Sequence, residues 1–283
     1  MKRLVIIGKG PAGISAALYA VRGGLDVTIV AKDNGALQKA DKIDNYYGFE
    51  GGISARKLTE DGERQAKHLG VSFVNDEVVG IEFAADGYTV KTLEGELQAG
   101  AVIIACGTSR NVPPIGNIQK FEGKGVSYCA ICDGFFFRGK KVAVVGNAGY
   151  AKSEYNVLKN IIQDVFILTN GQKPEFDSLP YNDKKIVSFE GEEKLNEVVY
   201  EDGSKESFDG VFIACGSAGS FELAKKLGLE TEGNKISVDE NRATNIPGIY
   251  AAGDCTKGIH QIAKAVYDGM IAGTQAIQFL KNK

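Results

Sequence analysis

The amino-acid sequence predicts an α/β fold of two Rossmann-like, three-layer nucleotide-binding-type domains, with the second inserted in the first. The first observation behind this prediction is a repeat: residues 4–23 and 142–160 each read as an apolar strand, a glycine turn and a helix-like segment. The second is a pair of later apolar strands with related ends, VIIACGTS at 102–109 and VFIACGSA at 211–218. Two such sets indicate two β-α-β units, and hence parallel sheets with helices on their faces.

The end of the chain predicts the inserted arrangement. Residues 245–280 read as a strand, a further glycine turn and a long helix, in which Ile262, Ala265 and Gly269 share one helical face. Because this segment follows the second half but carries another nucleotide-type turn, we expect it to complete the first domain. The predicted first domain is therefore 1–109 with 241–283, and the inserted domain is 110–240.

Each half also carries a strand-like stretch with a glycine-containing turn ahead of its late strand. These stretches are YTVKTLEGELQAG at 88–100 and EVVYEDGSKESFDG at 197–210. They predict a small antiparallel addition in each domain.

Charge and composition exclude some classes of partner. The formal net charge of the 283 residues is -3, whereas bulk binding of nucleic acid or anionic membranes needs a basic excess. No apolar run approaches the ~18 residues of a membrane span, and the first apolar run breaks at glycine too early for a signal peptide. We therefore expect small molecules or proteins as partners, no nucleic acid, no membrane, and a cytoplasmic location.

The cysteine pattern favours redox work over structural cross-linking. There are five cysteines, an odd number at wide spacing apart from the Cys-x-x-Cys pair Cys129 and Cys132. In a reducing compartment such a pair more often signals redox chemistry or metal binding than a disulfide framework. A zinc site needs two further ligands. Because the other cysteines and the two histidines lie far away in sequence, we predict no metal site.

The first glycine turn has the spacing of a dinucleotide-binding fingerprint. Gly8, Gly10 and Gly13 lie between an apolar strand and a helix. In this motif the first glycine makes the turn, the second lets the backbone approach a pyrophosphate, and the third lets helix and strand pack closely. Pro11 suits the first helical turn, where its missing N–H is not needed. The sequence thus predicts a phosphate site at the start of this helix.

The Cys-x-x-Cys pair has the surroundings of an exchanging dithiol. A turn or helix start lowers the pKa of one thiol, which speeds disulfide exchange at neutral pH. Asp133 follows Cys132 directly, and a carboxylate beside a dithiol can donate or accept the proton that the interconversion requires. We predict Cys129, Cys132 and Asp133 as catalytic residues.

Three motifs together resemble those of the low-molecular-weight flavoprotein thioredoxin reductases, in order and spacing over nearly the whole chain. They are GKGPAG, CAICDGFFFRGKKVAVVG and IPGIYAAGD. The resemblance implies FAD in the first domain, a homodimer, and thioredoxin as the protein reduced. It also implies that Cys132 lies against the flavin ring, that Cys129 exchanges with thioredoxin, and that Asp133 is the acid.

The same resemblance extends the expected FAD site beyond the first turn. It implies that Gly253 and Asp254 bind the ribityl-phosphate region, and that Asn45, Gln261 and Ile262 meet the flavin ring. Ala36 stands where the family often has a glutamine, and Cys106 and Cys255 replace common non-cysteine residues. The predicted cofactor-binding residues are Gly8, Gly10, Pro11, Ala12, Gly13, Asn45, Gly107, Gly253, Asp254, Gln261 and Ile262.

The second glycine turn departs from the fingerprint. Ala148 stands where the second glycine would let a pyrophosphate touch the backbone. An NADPH site also needs a basic cluster after the next strand to grip the 2′-phosphate. Family members often have His-Arg-Arg there, but this chain has Thr169, Asn170 and Gly171, with Lys173 flanked by acidic residues. These two losses predict that nicotinamide binding is absent while disulfide chemistry is kept.

This combination resembles the ferredoxin-dependent flavin thioredoxin reductases, which implies reduced ferredoxin, or flavodoxin, as the electron donor. The inserted domain would pivot between flavin and thioredoxin, with hinges at 107–111 and 240–244. Basic clusters at 138–141 and 184–185 are candidate contacts for an acidic carrier.

Three other functions share these motifs. One is an NADPH-dependent thioredoxin reductase with an atypical pocket, and another is a flavin and dithiol redox sensor that does not turn over. The third is a dithiol oxidase that passes electrons to oxygen.

Overall fold

A computed structural model describes residues 2–35, 37, 40–107, 113–177, 179–216 and 219–283 of the chain. The chain forms two compact units. The first domain is Met1–Arg110 with Gly219–Lys283, and the inserted domain is Asn111–Ala218. The predicted α/β class and the insertion are therefore observed. The helices of the described residues are too short or too polar to cross a bilayer.

The N-terminal part of the first domain alternates strands and helices as the first half of the repeat predicts. Strand β1 is an apolar run with its last four residues buried, and α1 begins at Pro11 directly after the glycine turn. The elements are β1 (Arg3–Ile7), α1 (Pro11–Arg22), β2 (Asp26–Val30), β3 (Lys42–Ile43), β4 (Ile53–Ser54), α2 (Ala55–His68), β5 (Ser72–Val74), β6 (Val78–Ala84), β7 (Gly87–Thr92), β8 (Glu96–Ala99) and β9 (Ala101–Ile104).

The inserted domain repeats this plan. Strand β11 pairs in parallel with both β12 and β17, as the second half of the repeat predicts. The elements are β10 (Val126–Ser127), α3 (Ala130–Asp133), β11 (Lys141–Val145), α4 (Gly149–Lys159), β12 (Asp164–Leu168), β13 (Tyr181–Asn182), β14 (Ile186–Glu190), β15 (Glu197–Tyr200), β16 (Lys205–Ser207) and β17 (Gly210–Ile213).

The chain then returns to the first domain. Strand β20 pairs in parallel with β9, so the C-terminal segment completes the first sheet as predicted. The returning elements are α5 (Ser220–Leu227), β18 (Thr231–Glu232), β19 (Lys235–Ile236), β20 (Ile249–Ala251) and α6 (Ile262–Lys281).

Each domain is built on one parallel sheet. The strand order is β20-β9-β1-β2-β5 in the first domain and β10-β17-β11-β12-β13 in the inserted domain. The predicted antiparallel additions are the sheets β6-β7-β8 and β14-β15-β16. Because the strands of each main sheet are parallel, the loops after them gather at one edge, where α/β proteins bind ligands.

Helices α1 and α6 pack closely over the first sheet. A methyl group added at Gly269 of α6 would lie 2.1 Å from the carbonyl oxygen of Ala12, so the two backbones meet where a side chain is missing. The buried faces of α1 and α6 join β1, β2 and β9 in one core. This contact fixes the start of α1, which carries the predicted phosphate site.

The return to the first domain occurs earlier in the chain than predicted. Residues 219–240 belong to the first domain, so the boundary lies at 218/219 rather than 240/241. Helix α5 packs against β6 and β19, and Ser220 Oγ donates to the carbonyl oxygen of Gly107 at 2.7 Å. Residues 240–244 fall inside the first domain, where Arg242 ion-pairs with Asp268, and the hinge predicted there stays a prediction. Residues 108–111 of the other predicted hinge lie outside the described residues.

Candidate functional site

The turn after β1 is shaped by the two outer glycines of the fingerprint. Gly8 has a φ of +106°, and a Cβ there would lie 2.5 Å from the carbonyl oxygen of Ala105. A Cβ at Gly13 would lie 1.9 Å from the carbonyl oxygen of Gly8, so α1 packs against the turn itself. These two contacts explain why the turn and the first helical residues require glycine.

Gly10 is different, because it has room around it. Among the described residues, no heavy atom lies within 4 Å of a Cβ built there. Gly10 is the N-cap of α1 and makes no side-chain cap, and Pro11 occupies the first helical position. The N–H groups at this helix start are therefore open to an anion, whose charge the helix dipole favours. This geometry fits a dinucleotide pyrophosphate.

The C-terminal segment comes to the same edge of the sheet. Gly253 has a φ of +84°, and a Cβ there would lie 2.9 Å from the Cβ of Ala12, so the two predicted cofactor segments touch. The Asn45 side-chain amide donates to Gln261 Oε1 at 3.0 Å. Asp254 is half-buried, and its carbonyl oxygen accepts from Lys235 Nζ at 2.5 Å. Gly107 follows β9 at this edge, and Ile262 begins α6.

A buried carboxylate that no sequence motif predicts holds this segment in place. Asp268 on α6 has 0% exposure, and its Oδ2 accepts from the backbone N–H of Gly253 at 3.0 Å. Lys264 Nζ lies 2.8 Å from Oδ2, and Arg242 Nε lies 2.9 Å from Oδ1. The charge of Asp268 is thus compensated by two cations, and its hydrogen bond orients the Gly253 turn.

The dithiol lies after β10, at the corresponding edge of the inserted sheet. Cys129 and Cys132 form a disulfide, and Cys129 is the N-cap of the short helix α3. The backbone N–H of Cys132 donates to Cys129 Sγ at 3.2 Å. The two residues are not equally exposed, since Cys129 is only 4% exposed while Cys132 is exposed. Cys132 is therefore the member of the pair that lies nearer the surface.

Ser127 connects the predicted acid to the dithiol. Its hydroxyl donates to Asp133 Oδ2 at 2.6 Å and accepts from the backbone N–H of Cys129 at 3.1 Å. Asp133 is half-buried, and its own N–H donates to the carbonyl oxygen of Cys129. The structure thus brings the three predicted catalytic residues into one hydrogen-bonded turn. Ser127 was not predicted, because a serine before a Cys-x-x-Cys pair carries no distinctive spacing.

The turn after β11 is closed by the chain itself. The Asn147 side-chain amide donates to the carbonyl oxygen of Lys173 at 3.1 Å, and the Asn147 carbonyl oxygen accepts from the N–H of Glu175 at 2.7 Å. Ala148, at the position of the missing second glycine, is buried. The loop after β12 is therefore fastened to the turn that would cradle a pyrophosphate.

The residues at the predicted 2′-phosphate position serve the fold. Thr169 is buried, and Asn170 Oδ1 accepts from the backbone N–H of Ile186 at 2.7 Å. Asn170 also has a φ of +52°, which asparagine tolerates better than most residues. The Asn170 side chain is thus committed to the loop, and Thr169 is buried, so neither is presented to a ligand.

Three lysines of the basic clusters offered as carrier contacts are ion-paired within the inserted domain. Lys141 pairs with Glu206 at 2.9 Å, Lys184 with Asp202 at 2.8 Å, and Lys185 with Glu201 at 2.9 Å. These carboxylates reduce the positive field of the lysines, which weakens the case for a docking surface there.

The three cysteines outside the disulfide have thiols whose pKa is raised by burial. Burial raises the pKa of the Cys255 thiol to about 12 and that of the Cys215 thiol to about 11. Burial also raises the pKa of Cys106. Thiols of this kind are poor nucleophiles at neutral pH. Ala36, the departure expected near the flavin, lies outside the described residues.

Known proteins match this chain over nearly its whole length. The model of the pyridine nucleotide-disulphide oxidoreductase family matches residues 2–174 and 181–269. A thioredoxin reductase from Aquifex aeolicus is 32% identical, over 99% of this chain and 94% of the relative.

Two solved structures resemble the chain in fold and sequence. The atypical thioredoxin reductase TRi from Desulfovibrio vulgaris Hildenborough is 41% identical with a TM-score of 0.95, covering 100% of this chain and 99% of that one. A ferredoxin-flavin thioredoxin reductase from Clostridium acetobutylicum is 31% identical with a TM-score of 0.76, covering 99% of each chain. The resemblance therefore spans both domains.

Proposed function

We propose that this chain, which belongs to the pyridine nucleotide-disulphide oxidoreductase family, reduces thioredoxin with electrons from ferredoxin rather than NADPH. FAD is the cofactor of the thioredoxin reductases in this family, and this chain is a flavoprotein of the same type. The open Gly10 position and the uncapped start of α1 fit its pyrophosphate. Gly253, Asp254, Asn45, Gln261 and Ile262 would hold the rest of the cofactor.

The observation that carries the donor proposal is the closed turn after β11. In an NADPH site the second glycine lets the backbone donate hydrogen bonds to the pyrophosphate. Here Ala148 replaces that glycine, and Asn147 is already bonded on both sides to the loop of Lys173 and Glu175. A nucleotide binding here would have to break those bonds and displace the loop.

Charge in the same loop adds to this argument. Lys173 is accompanied by Glu175 and Asp177, whereas a 2′-phosphate is normally gripped by arginine side chains. A phosphate in this position would meet little attraction and some repulsion. The donor should therefore be a protein that delivers electrons to the flavin directly.

The energetics allow ferredoxin to be that donor. Plant-type ferredoxins have potentials near about -400 mV, and thioredoxin lies near about -270 mV. The gap of roughly 130 mV corresponds to roughly 6 kcal/mol for two electrons. When bound, FAD would supply the conversion between single-electron delivery and the two-electron reduction of a disulfide.

The chain's own residues provide the disulfide chemistry. Two electrons and two protons open the Cys129–Cys132 bond, and the exposed Cys132 sulfur is the better placed to receive the electrons. Asp133 takes the proton of the Cys129 thiol as the Cys129 sulfur attacks one sulfur of the thioredoxin disulfide, and it gives that proton to the thiolate released when the mixed disulfide forms. Attack by the Cys132 sulfur on the mixed disulfide restores the Cys129–Cys132 bond, and the Cys132 proton passes to the thiolate that leaves as reduced thioredoxin. Because Cys129 is buried in the oxidised form, the turn has to expose it when the bond opens.

Exposed apolar side chains beside Cys132 supply a contact surface for thioredoxin. Ile131 is 55% exposed, Phe135 64% and Phe136 71%. Large apolar groups at this level of exposure are typical of protein interaction sites when they cluster. Their position within four residues of Cys132 suits a partner whose disulfide must reach this turn.

The homodimer and the cytoplasmic location belong to the same proposal. Exposed aromatic side chains on the first domain, Tyr19 on α1 and Tyr267 on α6, support a subunit contact there. Light scattering of the purified FAD-bound protein tests the dimer. Ferredoxin and thioredoxin as partners both favour a cytoplasmic location.

Anaerobic titration of the flavin tests the donor. We expect reduced ferredoxin, or reduced flavodoxin, to bleach the flavin promptly, and NADPH and NADH to leave it oxidised. The Cys129→Ser variant is the matched control, since its flavin should still be bleached while thioredoxin turnover stops. Prompt bleaching by NADPH would overturn the ferredoxin proposal, and normal turnover by Cys129→Ser would overturn the proposed exchange step. Oxygen uptake without thioredoxin reduction would identify a dithiol oxidase instead, and a failure of multiple turnover would identify a sensor.

A further inference from the structure

A buried glutamate lies at the start of the dithiol helix. Glu154 is on α4 and is 1% exposed. Its Oε2 accepts from the backbone N–H of Ala130 at 2.8 Å. Ala130 directly follows Cys129 and is the first residue of α3. A carboxylate from another helix thus takes the N–H closest in sequence to the predicted nucleophile.

Two carboxylates hold the start of the turn, Glu154 directly at a backbone N–H and Asp133 through Ser127, while the N–H of Cys132 donates to Cys129 Sγ. The N–H of Cys129 donates to Ser127, which is bonded to Asp133. The N–H of Ala130 donates to Glu154. Tyr150 on α4 also reaches the turn, with its hydroxyl 3.4 Å from the carbonyl oxygen of Tyr128. Helix α4 therefore holds the Cys-x-x-Cys segment from one side.

The position of Glu154 has an electrostatic consequence. Free N–H groups at a helix start stabilise a thiolate, and this lowers the pKa of cysteines at that position. Here the carboxylate occupies the first N–H and adds a like charge close to any Cys129 thiolate, which disfavours the ionised thiol. A dithiol whose thiolate is less stabilised is a stronger reductant, because stabilising the reduced form makes a disulfide more oxidising.

We propose that Glu154 is a positioning residue that keeps the Cys129 thiol protonated and the Cys129–Cys132 pair reducing. This inference rests on the proposed role of the dithiol in thioredoxin reduction. Among the described residues, the other titratable groups hydrogen-bonded at the turn include Asp133, Tyr150, and Tyr128, whose hydroxyl donates to Glu122 at 2.5 Å. Asp133 serves as the acid, whereas Glu154 acts through the backbone next to Cys129.

Alkylation of Cys129 with iodoacetamide as a function of pH tests the proposal. The measurement uses the full-length FAD-bound chain with Cys132→Ser, so that Cys129 is a free thiol, and follows the Cys129 peptide by mass spectrometry. We expect Glu154→Gln to lower the pKa of Cys129 by about one unit, since a neighbouring charge shifts a pKa by about 1 to 3. The rate of alkylation at pH 7 should rise about tenfold, because the thiolate is the reactive species.

The variants separate charge from packing. Glu154→Gln keeps an oxygen for the Ala130 N–H, and Glu154→Ala is a second neutral variant in case glutamine disturbs the fold. Both should lower the pKa of Cys129, whereas Glu154→Asp keeps the charge and should leave it near the original value. Asp164→Asn, an exposed carboxylate at the start of β12, is the matched control and should have no effect. With Cys132 restored, Glu154→Gln should shift the dithiol equilibrium in dithiothreitol buffers toward the reduced form.

An unchanged Cys129 pKa in both neutral variants would overturn the inference. So would an equal shift in Glu154→Asp, since packing rather than charge would then be responsible. Neither result would contradict the proposed function, which is tested separately by thioredoxin turnover and by the Cys129→Ser variant. A Glu154→Gln enzyme that turns over slowly without a change in thiol pKa or dithiol equilibrium would likewise refute the role given to Glu154.

Discussion

Replacing Gly10 with alanine should separate cofactor binding from folding. Gly10 has φ -72° and ψ -179°, which alanine adopts without strain, and no described atom lies within 4 Å of the added Cβ. The stability of the FAD-free protein should therefore stay the same or rise by about 0.4–1 kcal/mol, because alanine restricts the unfolded chain.

FAD binding should weaken in the same variant. The added methyl group points into the space where a pyrophosphate would approach the backbone. Loss of one hydrogen bond to a charged group costs about 1.5–3 kcal/mol, which corresponds to about a tenfold to a hundredfold higher Kd. The assay combines urea unfolding of the apoprotein with FAD titration followed by flavin fluorescence.

Gly13→Ala is the matched comparison. Its Cβ would lie 1.9 Å from the carbonyl oxygen of Gly8, so α1 must shift from the turn. We expect destabilisation of the apoprotein by about 1–3 kcal/mol or more, as for other overpacked sites. The reasoning about this turn is refuted if Gly10→Ala binds FAD with unchanged affinity, or if its apoprotein is as unstable as Gly13→Ala.

Three further predictions concern other sites. Asp268→Asn should lower the free energy of unfolding, measured by urea unfolding, by about 2–4 kcal/mol, because it leaves Arg242 and Lys264 without their buried counter-charge. A loss smaller than that of an exposed control such as Asp26→Asn would contradict this prediction. Burial raises the pKa of the Cys255 thiol from 9.0 to about 12, so the folded state holds this proton more tightly than the unfolded state does. The thiol's contribution to the free energy of unfolding is therefore complete below pH 9 and is lost between pH 9 and about 12. Cys255→Ala should reduce the fall in stability over that range, measured by urea unfolding at successive pH values, and an identical pH profile would count against it. Phe136→Asp should raise the KM for thioredoxin by about fivefold to thirtyfold and leave flavin reduction by ferredoxin unchanged. Phe83→Asp, at a similarly exposed position on the first domain, should change neither quantity.

The overall architecture could be predicted because it depends on repeated local patterns. Apolar strands followed by glycine turns predict β-α-β units, and the third such turn near Gly253 predicts the return of the chain. The position of the boundary could not be predicted in this way. Residues 219–240 contain helix α5, which belongs to the first domain because it packs against β6. No local pattern in the sequence indicates which domain this helix joins.

The candidate site likewise contains residues that the sequence predicts and residues that it does not. The glycines and the dithiol were found because their chemistry depends on fixed spacing along the chain. Glu154 and Asp268 were missed because each acts on a segment far away in sequence, at Ala130 and at Gly253. A glutamate or an aspartate on an amphipathic helix reads as surface charge until the fold shows that it is buried.

The hydrogen bonds between Asn147 and the loop of Lys173 and Glu175 affect how readily substitutions could create a nicotinamide site here. Restoring glycine at position 148 would remove only one obstacle, since the loop would still cover the turn and the loop would still carry acidic side chains. For a chain that uses the proposed protein donor, gaining a nicotinamide site would therefore need several substitutions in this turn and this loop together.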